Sequence, residues 1–203
     1  MISFYKETDS IYRLRVPFED LYTSVFLVRA GNDAVLVDCA TTAYDVDEVI
    51  IPALSELGYS LDKLKALVLT HRHSDHAGGL ERILELLPNI EIVADAREIF
   101  EGVSTYPLPG HTLDMIGVLD LRTGTLVSGD GIQGAGIGKY RCYTKSEDAY
   151  IETLNKIKND GRITNILFSH AYEPWNTDSV HGREEVICCL DYCQKYINER
   201  KKK

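Results

Sequence analysis

Apolar residues along this chain switch between two periods. Residues 11–16, 22–30 and 34–38 are rich in Val, Leu, Ile, Tyr and Phe and are broken at Gly31-Asn32-Asp33, which predicts strands joined by a tight turn. Between 44 and 57 the pattern lengthens. Val46, Val49, Ile50, Ala53, Leu54 and Leu57 share one helical face, closed by Gly58, and Pro52 predicts a kink or a restart. A short strand over Leu64–Leu69, a helix over Leu80–Leu87 stopped by Pro88, and a strand over Ile90–Ala94 follow. Ile116–Leu121 and Thr125–Ser128 predict a hairpin about Thr123-Gly124. A helix over Glu147–Ile157, a strand over Ile163–Phe168 and a helix over Arg183–Ile197 complete the reading.

This order, hairpins and then alternating helix and strand, occurs twice. Ala34-Val35-Leu36-Val37-Asp38 is matched by Thr125-Leu126-Val127-Ser128-Gly129-Asp130, an apolar strand ending at an aspartate. Leu67-Val68-Leu69-Thr70-His71 is matched by Ile166-Leu167-Phe168-Ser169-His170, an apolar strand, a hydroxyl and a histidine. Residues 1–203 are therefore expected to form one domain of two pseudo-repeated halves, a sandwich with helices outside and a site at the shared edge.

Hydrophobic content of 44% and charged content of 26% fit a globular core. The net charge of −9 argues against nucleic acid as a partner, because such domains carry a basic footprint. The basic end Arg200-Lys201-Lys202-Lys203 reads as a solvated terminus. No apolar run approaches the roughly 20 residues needed to cross a bilayer. The N-terminus shows no signal-peptide pattern, so a cytoplasmic location without membrane association is expected. The five cysteines, Cys39, Cys142, Cys188, Cys189 and Cys193, form no C-x-x-C pair and read as reduced, partly buried thiols.

The chemistry concentrates in seven residues: His71, His73, Asp75, His76, His111, Asp130 and His170. They include five of the chain's six histidines. In an extended segment His71 and His73 project to one side and can share a metal. Asp75 and His76 follow where the chain turns into a helix at Ala77-Gly78-Gly79, and can serve a second ion; Asp75 could otherwise cap that helix. The glycines let backbone crowd the site. His181, in Ser179-Val180-His181-Gly182, reads as a surface residue in a loop before the last helix, and Trp175 as a core or loop anchor. Nitrogen and carboxylate donors of this kind suit zinc, iron or manganese.

Thr70-His71-Arg72-His73-Ser74-Asp75-His76, with His111 in Pro-Gly-His-Thr, Asp130 in Ser-Gly-Asp, and His170, resembles the metallo-β-lactamase superfamily over almost the whole chain. The resemblance implies an αββα sandwich: two mixed β-sheets packed face to face with helices outside. It implies two divalent ions, zinc first, with iron or manganese also suited. One ion takes His71, His73 and His111; the other takes Asp75, His76 and His170; Asp130 bridges them. Where the family often has Asp-Thr-Gly or Asp-Ser-Gly, this chain has Asp38-Cys39-Ala40. Asp38 is expected to orient a liganding histidine and Cys39 to pack. After Asp130, the stretch 129–140 resembles the glyoxalase II loop, and Tyr172, two residues after His170, matches a tyrosine of the same family; the resemblance implies substrate-binding roles for Lys139 and Tyr172 on the thiol carrier. Full-length glyoxalase II enzymes add a C-terminal helical domain with further carrier contacts, whereas this chain offers the helix near 183–197.

The expected function is a metal-dependent hydrolase acting on a small-molecule acyl substrate, first a thioester. A hydroxide bridging the two metals attacks the acyl carbonyl, and Asp75 or a water on the metal handles the proton. A lactonase, a phosphodiesterase and a mononuclear iron sulfur dioxygenase of the same fold are the alternatives. The phosphodiesterase is disfavoured by the −9 charge.

Overall fold

The computed structural model describes residues 2–137, 140–172 and 176–202. They form two compact units, 1–94 and 95–203. Each unit has its own six-stranded sheet and its own buried apolar cluster.

In the first unit, strands Tyr5–Lys6, Ile11–Phe18, Leu21–Ala30, Asp33–Val37, Leu64–Val68 and Glu91–Val93 lie side by side in chain order. The first four pair antiparallel and the last two join in parallel, so the sheet is mixed. Leu14, Val16, Val25, Leu27, Leu36 and Leu67 pack with Val46, Ile50, Ala53, Leu54 and Ile83 of the helices. The alternate residues Phe26, Val28, Val35, Val37 and Val68 are also fully buried. Burial on both faces is why these strands read as unbroken apolar runs. Pro52 is accommodated without a break. The helical stretch passes from Ala43–Asp45 through a wide turn at Val46–Ile50 into Ile51–Glu56. The Ile51 N–H reaches back to the Val46 carbonyl, one residue further than in an α-helix. Proline has no N–H to give, and the widened turn sits just before it.

In the second unit the strand order is Thr177–His181, Asn165–Tyr172, Thr125–Gly129, Ile116–Asp120, Val103–Pro107 and Glu98–Phe100. Among the described residues of this sheet, only Thr125–Gly129 and Asn165–Tyr172 run parallel. Helices Glu147–Asn159 and Arg183–Arg200 supply Tyr150, Leu154, Ile157, Val186, Leu190 and Ile197 to the core. His181, expected in a loop, is instead the last residue of the edge strand Thr177–His181. That strand reads poorly in sequence because an edge tolerates polar residues.

The parallel pair is the shared device. In the first unit Val37 lies opposite Val68, so Asp38 and His71 follow just past the ends of neighbouring strands. In the second, Gly129 lies opposite Phe168, so Asp130 follows the end of its strand and His170 lies two residues beyond the pairing, still within Asn165–Tyr172. Adjacent parallel strands deliver their C-terminal ends to one edge.

Among the described residues, no helix is long and apolar enough to cross a membrane.

Candidate metal centre

The first unit gathers its donors on one turn. Strand Leu64–Val68 ends, and the short helix Ser74–Ala77 begins with His73 as its N-terminal flanking residue. Asp75 lies inside the first turn rather than capping it. The His71 ring is 4.5 Å from His73 and 4.2 Å from His76, centroid to centroid. Asp75 Oδ2 is 3.3 Å from His76 Nε2.

Asp38 holds this turn from behind. Its backbone is left-handed, φ 63°, a conformation that a short polar side chain tolerates better than most. Its carboxylate is fully buried. Oδ1 accepts the Thr70 N–H at 2.8 Å, and Oδ2 accepts the Thr70 hydroxyl at 2.8 Å. Oδ2 also lies 2.7 Å from His76 Nδ1. A carboxylate can only accept, so His76 carries its proton on Nδ1 and keeps the Nε2 lone pair for a ligand. The Thr70 hydroxyl spends its single proton on Asp38. At 3.1 Å from His71 Nδ1 it therefore accepts, which fixes His71 in the same tautomer.

Gly78 and Gly79 are required by close approach, not by backbone torsion. A Cβ on Gly78 would lie 1.9 Å from the Thr41 carbonyl oxygen, and one on Gly79 2.3 Å from that of Cys39. The loop carrying Asp38 thus rests directly on the helix start. Gly78→Ala should destabilise the fold at the upper end of the roughly 1–3 kcal/mol typical of overpacking, read as a lowered denaturation midpoint. A midpoint equal to that of the parent would mean that the loop is free to move away.

The second unit presents three donors. His111 stands on the turn Pro109-Gly110-His111-Thr112, which helix Glu147–Asn159 supports: the Thr153 hydroxyl donates to the Pro109 carbonyl at 2.7 Å. His111 Nδ1 is 2.9 Å from the Tyr143 carbonyl. A carbonyl only accepts, so His111 too carries its proton on Nδ1. The Asp130 carboxylate, 7% exposed, lies between two histidines. Its Oδ2 is 3.7 Å from His111 Nε2 and its Oδ1 3.3 Å from His170 Nε2. Gln133 Nε2 donates to Oδ2 at 2.9 Å.

These donors fit divalent metal ions. They are imidazoles and carboxylates, five of the seven buried, and three of the imidazoles are held by Nδ1 in the tautomer that coordinates through Nε2. Thr70 and the Tyr143 carbonyl were not singled out from sequence. Thr70 was visible as the hydroxyl preceding His71, while a backbone carbonyl leaves no sequence signal.

Other candidates fall away from the centre. Cys39 is buried in the apolar cluster of the first unit, and its thiol is pushed up to about 12, chiefly by burial. It packs, as its neighbourhood implied. His181 is exposed, with its ring on Ser179. Lys139 and Trp175 lie outside the described residues. Tyr172, expected at the carrier, is 3% exposed, packs on Phe168 in the core of the second unit, and hydrogen-bonds the Cys189 thiol. Tyr172→Phe should lower stability by about 0.5–1.5 kcal/mol, the usual worth of one hydrogen bond, and leave KM unchanged. A raised KM at unchanged stability would restore the carrier contact.

The family model described as the metallo-beta-lactamase superfamily matches residues 19–100. A hydroxyacylglutathione hydrolase of Vibrio cholerae is 29% identical over 157 residues, 68% of this chain and 59% of that protein. A hydroxyacylglutathione hydrolase of Vibrio campbellii is 30% identical over 142 residues, 62% and 55%. The matched part thus spans less than two thirds of these relatives. Among solved structures, the metallo-β-lactamase FIM-1 of Pseudomonas aeruginosa, in its mono-zinc form, is similar with a TM-score of 0.75. It is 16% identical, with 98% of this chain and 96% of that one covered. A metallo-β-lactamase of Erythrobacter litoralis gives a TM-score of 0.71 at 19% identity, with 96% of each chain covered. In motif and family model the chain is similar to the metallo-β-lactamase superfamily, and its two mixed sheets with helices have the αββα fold class that the motif implied. Within that superfamily, the chain is similar in sequence to hydroxyacylglutathione hydrolases, the glyoxalase II-like members.

Proposed function

We propose that the chain is a two-metal hydrolase of small acyl substrates, with a thioester as the preferred class. One ion would be held by His71, His73 and His111, and the other by Asp75, His76, Asp130 and His170, the sets that the motif implies. Asp130 would bridge the two. The observation that carries this reading is its carboxylate, one oxygen directed to His111 and the other to His170. Bound divalent ions would supply a water acidified to a pKa near ~7 and a Lewis acid for the acyl carbonyl.

The chain's own residues do the rest. Asp38, Thr70 and the Tyr143 carbonyl keep His76, His71 and His111 in the liganding tautomer. Asp75, beside His76 Nε2, is placed to take a proton and return it to the departing thiolate. Lys139 is proposed to contact the thiol carrier, as its place in the loop after Asp130 implies. The thioester is favoured by the hydroxyacylglutathione hydrolases among the relatives. The net charge of −9 disfavours a phosphodiester polymer.

The test is a screen of zinc-, iron- and manganese-reconstituted protein against thioesters, lactones and phosphodiesters, with oxygen consumption followed in parallel. Thioester hydrolysis that chelation removes and metal restores is expected. Turnover confined to lactones or phosphodiesters would reassign the substrate, and oxygen uptake with iron alone would replace hydrolysis by oxygenation.

A further inference from the structure

Gln133 stands where nothing in the motif assigns a role. A bridging aspartate has a problem of its own: its terminal torsion is broad and two-fold, so its rotamer does not fix which oxygen faces which ion. Something outside the residue must set it. Gln133 Nε2 donates to Asp130 Oδ2 at 2.9 Å, and Oδ2 is the oxygen on the His111 side. Only the nitrogen of the amide can serve here, because a carboxylate oxygen cannot donate.

The Gln133 backbone is held at both ends. Its N–H donates to the Tyr150 hydroxyl at 3.1 Å, and its carbonyl accepts the Gly136 N–H at 2.8 Å. Tyr150 is fully buried in helix Glu147–Asn159. It also lies under the His111 turn, since a Cβ on Gly110 would be 2.8 Å from the Tyr150 Cα. One buried tyrosine therefore underlies both the loop of Asp130 and the turn of His111. A long side chain fixed at its root loses less freedom when its tip makes a bond. The donor is also neutral: a lysine or arginine in its place would bring a positive charge against bound cations, whereas an amide orients the carboxylate without repelling them.

We propose that Gln133 is a positioning residue that sets the rotation of the Asp130 carboxylate, presenting Oδ2 to the ion at His111 and Oδ1 to the ion at His170. The proposal rests on the two-metal reading above.

Cobalt(II) titration of the metal-free protein, followed by the visible spectrum and by chelator competition, tests it. Gln133→Met keeps the length and removes the N–H. Gln133→Asn keeps the amide and the polarity of the loop but is one methylene short, so it guards against a folding defect in the first variant. Both are expected to weaken the more loosely held cobalt by roughly 10–100-fold, as for loss of a ligand's hydrogen-bond partner, and to alter its spectrum. The melting temperature of the metal-free protein should match that of the parent. If the parent binds two cobalt ions and both variants bind them with the parent's affinities and spectrum, Gln133 does not position Asp130, and the two-metal reading stands. If the parent binds fewer than two, that reading falls, and the role of Gln133 with it.

Discussion

Asp130→Ala is expected to lower kcat/KM by more than about 100-fold, beyond the effect of losing a ligand's outer partner, while the chain still folds. The residue follows strand Thr125–Gly129 and is nearly buried between His111 and His170. In the two-metal account its carboxylate sets the spacing of the ions. Its removal would leave two weakly coupled sites and no shared anionic ligand. The fold should persist, because the strand pairing beneath it is made by Thr125, Leu126, Val127 and Gly129 rather than by the aspartate. Steady-state kinetics with metal content measured on the same sample decide this. Parent-like activity at unchanged metal content would refute a bridging role.

Asp38→Ala should weaken metal binding by roughly 10–100-fold. The buried carboxylate holds Thr70 twice and His76 once, and through Thr70 it also sets the His71 ring. Alanine removes all three contacts at a left-handed backbone position. Asp38→Asn is the more discriminating variant. Both carboxylate oxygens face donors, so an amide nitrogen must oppose either the Thr70 N–H or His76 Nδ1. In the second arrangement His76 would shift its proton to Nε2 and lose its ligand lone pair. Both variants should therefore lose affinity in a chelator competition. Unchanged affinity in both would return Asp38 to a role in the turn alone.

Much of this was legible in the sequence, for physical reasons. Strands buried on both faces give unbroken apolar runs, so Asp33–Val37 and Leu64–Val68 stood out, and with them the aspartate and histidine at their ends. The repeated strand-then-Asp and strand-then-His order corresponds to one parallel strand pair in each unit. Gly78-Gly79 was read as room for backbone, and the backbone of Thr41 and Cys39 fills that room. What escaped was whatever depends on partners distant in sequence. Tyr172 was assigned to the carrier by the glyoxalase II resemblance, and the strand register is irregular between Leu167 and Tyr172. Tyr172 packs on Phe168 and meets Cys189 of the last helix. Gln133 was not singled out for a different reason: its partner Asp130 is only three residues away, but the direction of a loop side chain leaves no periodic signal. The edge strands Glu98–Phe100 and Thr177–His181 were missed because short, partly polar edges carry little periodic signal.

The central claim is the pair of ligand sets, and a metal-soaked crystal structure with anomalous scattering tests it most directly. The account predicts two ions. One is bound by His71, His73 and His111, the other by Asp75, His76 and His170, with one Asp130 oxygen on each. An ion held by Cys39 or His181, or no ion near His71, would contradict it.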